Sequence, residues 1–472
     1  MSTKFYITTP IYYVNDKPHI GHAYTTIAAD VLARYHRLKG DDVFFLTGTD
    51  EHGSKVAESA EKAGMDPQAF CDQNSALFED AFKGLNISHD IFMRTTSDRH
   101  KKSVQMFMQK LFDKGDIYEG VYEGLYCTGC EKFLTEKELV NGMCPLHNRP
   151  PEQVKEKNYF FKLSTYLKNV RKLIETGKIV VGPESRKKET LGLFDQGLED
   201  FSVSRERVTW GISLPWDSSQ KTYVWVEALQ NYISAIGYGD DQAAFEKWWP
   251  ADVHLMAKDI LKFHAIYWPA LLLAAGLEVP NLIFAHGFFS LNGTKMSKSL
   301  GNVIDPNDLV KKYGVDATRF LLLSQFPFGQ DGDIKESEFT TQFNAHLANG
   351  VGNLTARVAT LIDQSGGVIE KNEYSELALA TFAHIEKLAF HEALQGILDE
   401  VHKADDRLSK EKPWEKPTDD ADRLKLLGEI AGVIMSIGHA LAPFMPDISE
   451  KIISHFSQSK ITKINPLFPR IT

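Results

Sequence analysis

"KFYITTPIYYVNDKPHIGHAYTTIAADVLARYHRLKGDDVFFLTGTDEHGS", residues 4–54, decides the fold. Lys4 to Thr9 is rich in strand-forming residues and stops at Pro10, and "VNDKP" is a cluster of turn formers. From about Ile20 to Leu38 apolar residues return at helical spacing (Ile27, Val31, Leu32, Tyr35, Leu38), and Gly40 ends the run. "DVFFLTG" reads as a second, buried strand. Strand, helix, strand predicts a right-handed crossover in a parallel sheet. Ligands of such sheets bind outside the carboxyl ends of the strands.

The helix opens with His19-Ile20-Gly21-His22. A helix N-terminus presents unpaired N–H groups and partial positive charge to an anion. Two imidazoles add donors, and Gly21 leaves the backbone open to a flat ligand. On this stretch alone, two structural histidines fit equally well, and no G-x-G-x-x-G fingerprint accompanies them. Far downstream, "SLNGTKMSKSLGN" (Ser290–Asn302) sets Lys295 and Lys298 among Asn, Gly and Ser. That composition suits an idle surface loop, or a mobile loop that brings two cations to phosphates.

A third motif is chemically self-contained. Cys127, Cys130, Cys144 and His147 form C-x2-C, thirteen residues, then C-x2-H, with Gly129 and Pro145 as turn formers. Each pair can give two ligands to one tetrahedral ion, and four ligands close the sphere, so the spacing predicts a structural zinc with no place for water. A redox pair at Cys127 and Cys130 is the alternative, and the matching second pair argues against it. Cys71, the remaining cysteine of four, reads as a small helix residue.

Composition sets the frame. A chain of 472 residues predicts two to four domains. Its 43% hydrophobic and 25% charged content is that of an ordinary globular protein. No secretory leader is visible, and the longest apolar run, "HAIYWPALLLAAGLEVP", is broken by Pro269, so a cytosolic protein with no membrane span is expected. The formal charge of -10 does not favour nucleic acid as a partner, although local patches rather than the sum decide binding.

"HIGH" (His19–His22) with "KMSKS" (Lys295–Ser299), in that order, resembles the paired signature of class I aminoacyl-tRNA synthetases. The resemblance implies that an amino-acid carboxylate attacks the α-phosphate of ATP, pyrophosphate leaves, and the acyl group passes to a tRNA terminus. Such chemistry asks mainly for positioning and charge stabilisation, which suits a chain without a Ser-His-Asp or Cys-His signature. His19, His22, Lys295 and Lys298 would be catalytic. Together with Gly21, Lys258 and Asp259 they would hold ATP, which brings Mg2+, with Asp259 on the ribose.

The zinc knuckle resembles that of the methionyl-tRNA synthetases, and the insertion that carries it is too short for a separate editing domain. By the same resemblance Tyr13, Asp50, Trp225, Tyr232 and His286 would surround methionine, with Asp50 suited to the substrate ammonium, and Ile11, Leu229 and Ala285 are further candidates for such an apolar pocket on residue type. "AKDILKFHAIYWPALL", residues 257–272, resembles a further segment of that family. Two positions depart from its pattern: Ala257 stands for glycine and Glu227 for aspartate.

From about Phe343 long segments of period 3.6 predict an antiparallel helix bundle. In the resembling family this bundle reads the anticodon of tRNA(Met), the initiator included, through residues matched here by Asn353, Arg357 and Trp414. Asn and Arg can read base edges, and Trp can stack on an unpaired base. The fold class expected is thus an α/β Rossmann-type catalytic domain with a parallel sheet, a zinc-knuckle connective insertion and a C-terminal α-helical anticodon-binding bundle. The expected boundaries are 1–115 and 196–290 for the two catalytic halves, 116–195 for the insertion, 291–342 for the KMSKS loop and stem-contact segment, and 343–472 for the bundle. A monomer is expected. Rival readings are a synthetase for another amino acid such as cysteine, a small nucleotidyltransferase, and a non-catalytic RNA-binding scaffold.

Overall fold

The computed structural model describes residues 3–296, 303–370 and 377–472. The opening stretch does form a parallel sheet. Its strands are β1 (Lys4–Tyr13), β2 (Asp42–Asp50), β3 (Ile91–Arg94), β4 (Val180–Gly182), β5 (Val253–Ala257) and β6 (Leu282–His286). They lie in the order β3-β2-β1-β5-β6-β4, and every neighbouring pair is parallel. β1 and β2 are buried along almost their whole length, the pattern of parallel strands covered on both faces.

Strand order runs from β1 outward through β2 in one direction and through β5 in the other. The switch point therefore lies between β1 and β5, where open α/β sheets bind ligands. The carboxyl ends of the central strands deliver Tyr13, Asp50, Ala257 and His286. A register shift between Thr8 and Ile11 marks a bulge in β1, and beyond it Tyr13 pairs with Asp50. A bulge of this kind re-aims the side chains that follow it.

Two compact units divide the chain. One holds the N-terminal strand, Asp41–Asp80 and His89–His286; the other holds His19–Gly40, Ala81–Ser88 and the residues from Gly287 onward. The helix α1 (Ile20–Lys39) connects β1 to β2 along the chain but belongs to the second unit, so the expected first catalytic half, 1–115, is shared between the two. The expected insertion, 116–195, also holds two kinds of structure. Ile117–Cys127, Lys132–Leu134 and Glu152–Phe161 form an antiparallel sheet with Phe201–Ser202, whereas Val180–Gly182 returns to the parallel sheet as β4.

In the second unit α1 packs against Val315–Leu323 and Leu377–Glu386. Gly40, in the left-handed region at φ 88°, caps the carboxyl end of α1 as its sequence predicts. The helices Asn353–Gln364, Leu377–Glu386, Phe390–Glu411, Ala421–Leu441 and Pro446–Phe456 make up the expected bundle. Ala421–Leu441 is apolar and long enough to cross a membrane, but 72% of that window is buried in the protein, as in a core helix.

Candidate active site

At the carboxyl end of β2, Asp50 is 3% exposed, and its Oδ1 is buried without a partner. The Tyr13 hydroxyl, at the end of β1, is likewise buried and unpartnered. Burial pushes the Asp50 carboxyl well above the usual carboxylate range, and the charges of Glu227 and Glu131 push the same way. A carboxylate in this position is stabilised by a cation that brings its own hydrogen bonds.

Around it stand aromatic walls. Trp225 and Leu229 lie on the helix Val224–Leu229, Trp225 meets Tyr13 edge-on at 6.1 Å between centroids, and it stacks on Phe263 at 4.2 Å. The Trp225 indole N–H donates to the Cys130 carbonyl at 3.2 Å, which fixes the ring plane. Tyr232 is fully buried, with its hydroxyl 2.7 Å from His264 Nε2. His264 Nδ1 lies 3.0 Å from the Ile260 carbonyl, which can only accept, so Nδ1 carries the proton and Nε2 accepts from Tyr232. Burial holds His264 down at about 4 and His254, under the Tyr232 ring at 4.2 Å, well below its usual value. Both imidazoles are therefore neutral, and this cluster is uncharged.

Ile11, part-buried beyond the bulge of β1, and Ala285 and His286, buried at the end of β6, belong to the same unit. His264, bonded to the Tyr232 hydroxyl, is a residue that the sequence did not single out. It stands inside the quoted "AKDILKFHAIYWPALL", and the Phe-His pair there was its only sequence signal. Lys258 and Asp259 open a short 3-10 turn directly after β5.

The segment after Asp50 is held residue by residue. Glu51 takes a two-pronged contact from Arg94 at 2.7 and 3.0 Å, along with the hydroxyls of Thr49 at 2.8 Å and Thr96. Its carbonyl accepts from the Trp210 indole at 2.6 Å. Glu227 bridges two buried histidines, with Oε1 2.9 Å from His52 Nδ1 and Oε2 3.1 Å from His100 Nε2. Burial pushes Glu227 up, but the two imidazoles hold it down at about 2, so it stays charged.

In the second unit the start of α1 carries the two histidines. The His19 imidazole caps α1, accepting from the Gly21 N–H at 3.1 Å through Nδ1, and His22 Nδ1 accepts from the His19 N–H at 3.1 Å. Their rings stack at 3.7 Å. Acceptance at Nδ1 places the proton on Nε2 of both neutral rings. Ile20 donates to the Ile304 carbonyl at 3.1 Å, and a Cβ on Gly21 would stand 3.9 Å from the Met296 methyl. The start of α1 is thus next to the residues that flank 297–302.

Lys295 does not lie on a free loop. It pairs with Ser290 in a hairpin, Phe289–Leu291 with Thr294–Lys295, turned by Asn292 and Gly293 at φ 52° and 74°. Two successive left-handed residues suit the tight hairpin turn, for which Asn-Gly is the favoured pair. Asp333 clamps it, accepting from Gly293 N at 2.7 Å and from the Ser290 hydroxyl at 2.6 Å. Lys298 lies outside the described residues.

The ligand atoms of Cys127, Cys130, Cys144 and His147 all lie within 4.8 Å of one another, and His147 Nδ1 is 3.7 Å from Cys127 Sγ and 3.8 Å from Cys144 Sγ. Tetrahedral bonds of ~2.3 Å to sulfur and ~2.0 Å to nitrogen separate ligand atoms by roughly 3.5–3.8 Å, so the residues fit zinc. Gly129 matters for packing as well as for turning: a Cβ there would come within 2.7 Å of the His147 ring.

On the helix Asn353–Gln364 an exposed Asn353 precedes Arg357 by one turn. The Arg357 guanidinium lies over the Trp414 ring at 4.5 Å and pairs with Asp405 at 3.0 Å. Trp414 is 41% exposed, unusual for so large a ring, and the Arg357 stack holds it in place.

A family model described as "tRNA synthetases class I (M)" matches residues 5–153 and 137–359. Proteins named methionine--tRNA ligase from Caldanaerobacter subterraneus and Rickettsia conorii are 44% and 42% identical to this chain. Each alignment covers 98% of it, and 75% and 94% of the respective relative. Among solved structures, Mycobacterium tuberculosis methionyl-tRNA synthetase in complex with methionyl-adenylate is similar with a TM-score of 0.92. It is 36% identical over 99% of this chain and 100% of that one.

Proposed function

Because this chain belongs to the methionine–tRNA ligases of the class I tRNA synthetase family, we propose a division of that reaction among its own residues. The activity joins L-methionine to ATP, giving methionyl-adenylate and pyrophosphate, and then transfers methionine to the 3′ end of tRNA(Met) for protein synthesis. One observation carries the site assignment. The buried, unpaired Oδ1 of Asp50 stands at the carboxyl end of β2, one strand from the switch point, beside a neutral aromatic cluster.

Asp50 receives the substrate ammonium. Tyr13, Trp225, Tyr232 and His264, with Ile11, Leu229, Ala285 and His286, enclose a flexible thioether that packs well against ring edges. The carboxylate is left to attack the α-phosphate in line. No side-chain nucleophile is required, so the protein contributes placement and electrostatics. The Nε2–H groups of His19 and His22 are donors for phosphate oxygens, reinforced by the helix N-terminus that these residues cap. Lys258 and Asp259 hold the nucleotide, the latter on the ribose. Lys295 and Lys298 neutralise charge growing on the pyrophosphate, and Mg2+ enters with ATP.

The knuckle holds one zinc, which serves to fold a segment whose own apolar cluster is small: Cys127, Leu134 and Cys144 with four part-buried neighbours. Elemental analysis is expected to give one zinc per chain, and Cys144→Ala to lose it together with protease resistance in 117–161. Zinc retained by that variant would refute the ligand set.

Asn353, Arg357 and Trp414 read the anticodon of elongator and initiator tRNA(Met). The cytosol is the compartment and the single chain the working form. Amino-acid-dependent ATP–pyrophosphate exchange tests the whole reading: methionine supports it, while cysteine, leucine, isoleucine and valine do not. Trp414→Ala keeps that exchange but lowers tRNA charging by about tenfold to a hundredfold, the worth of one base stack at 1–3 kcal/mol. Exchange with a different amino acid would overturn the pocket, and unchanged charging by the variant the anticodon assignment.

A further inference from the structure

We infer that Glu227 is a positioning residue of the ammonium subsite, acting through His52 on Asp50. The inference rests on the reading of Asp50 as the holder of the substrate ammonium.

Each residue after Asp50 has its own anchor. Glu51 is fixed by Arg94, Thr96 and Thr49, and Gly53 donates to the Trp210 carbonyl at 3.1 Å. Between them stands His52, 2% exposed, whose ring is tilted against Trp210 at 5.4 Å and hydrogen-bonded to Glu227. If that bond is lost, the His52 side chain keeps its ring contact but no hydrogen bond among the described residues. His52 also acts on Asp50 through its backbone amide, which favours the charged carboxylate.

The length of the side chain matters. Aspartate, which the resembling motif carries here, is one methylene shorter. Glutamate spans His52 and His100 at once, one oxygen on each, and His100 is fixed in turn by the Ser234 hydroxyl at 2.8 Å. Glu227 and His100 are fully buried, so this bridge competes with no solvent. The helix that bears Glu227 also bears Trp225 and Leu229. One carboxylate therefore ties the strand end that holds the ammonium to the helix that walls the side chain, and so fixes the distance between the two ends of the substrate. Asp50 makes the contact; Glu227 sets where it is made.

The test uses the full chain and compares Glu227→Gln, Glu227→Asp and Asp50→Asn in pyrophosphate exchange. Each is also titrated with 4-(methylthio)butanoate, which is methionine without its amine. For Glu227→Gln the methionine KM is expected to rise about tenfold to a hundredfold with kcat within about threefold of the parent. Glu227→Asp keeps the charge and one imidazole, and is expected to rise by less than about tenfold. The inhibition constant of the amine-free analogue stays within about twofold throughout. Adding Glu227→Gln to Asp50→Asn raises KM by no more than about twofold further, because both act on one contact. Equal losses for methionine and the analogue, or additive effects in the double variant, would overturn the inference and leave Glu227 a core residue. An unchanged KM in Asp50→Asn alone would instead refute the assignment of Asp50.

Discussion

Asp50→Asn raises the methionine KM in pyrophosphate exchange by about 10²–10³-fold and lowers kcat far less. Removing one partner of a buried, hydrogen-bonded charge pair costs roughly 2–5 kcal/mol. Oδ1 of Asp50 is a buried, unpaired acceptor on a carboxylate, whereas the unpartnered Tyr13 hydroxyl beside it carries no charge and His254 and His264 are held neutral. The ammonium takes no part in bond exchange at phosphorus, so its contact is equal in ground and transition states, and its loss appears in KM. Asparagine keeps the shape, which separates charge from packing. Burial gives the same residue a pH signature. Its carboxyl is raised, so as pH falls it takes a proton earlier than an ordinary aspartate and ceases to attract the cation. Methionine KM is therefore expected to climb on the acid side in the parent and to stay flat in Asp50→Asn, measured as KM against pH. A parallel climb in both would place the titration elsewhere.

What was legible in the sequence follows the range of the interactions concerned. The β-α-β order of the first fifty residues is local pattern, and it gave the parallel sheet. The cluster of Cys127, Cys130, Cys144 and His147 was legible because two short turns fix its geometry, and the pairing of Arg357 with Trp414 because a family motif carried both. Contacts set by distant pairing were not. The edge strand Val180–Gly182 is three residues long and indistinguishable from a loop until it pairs with β6. Lys295 reads as loop because Asn, Gly and Ser dominate its surroundings, yet Asn-Gly is equally the signature of a hairpin turn, and Asp333 supplies the clamp from forty residues away. The His52–Glu227–His100 bridge joins three distant segments, and each residue alone reads as an ordinary polar position. His264 was hidden for a different reason: a histidine in an apolar helix is more often core than pocket, and only the Tyr232 hydroxyl separates the two readings.

Arg319→Met lowers the stability of the C-terminal unit by about 3–5 kcal/mol, the usual cost of breaking a buried pair from one side. At roughly 2–4 °C per kcal/mol for a unit of this size, the midpoint of its thermal transition falls by roughly 6–20 °C. Arg319 is 0% exposed and its guanidinium serves four partners on three segments. These are the Asp30 carboxylate at 2.7 Å and the carbonyls of Phe444 at 2.7 Å, Pro443 at 3.1 Å and Leu85 at 3.2 Å. Methionine fills much of the volume but leaves three carbonyls without a donor and Asp30 with Arg34 as its remaining cation, at 2.7 Å. The acid side gives the sign. Burial pushes the Asp30 carboxyl up, Arg319 and Arg34 pull it down harder, and the net lies below the ordinary value. A depressed carboxyl stabilises the fold above its unfolded value, and that contribution is lost as pH falls through the folded value. Without Arg319 burial wins and the depression is lost, so the acid-side fall in stability that this group gives the parent is expected to be missing in the variant. Asp30→Asn added to Arg319→Met removes the stranded charge, and the double variant is expected to melt above the single one despite carrying two changes. If it melts lower by the sum of the two single losses, the pair is not coupled, and the carbonyl contacts alone account for the role of Arg319.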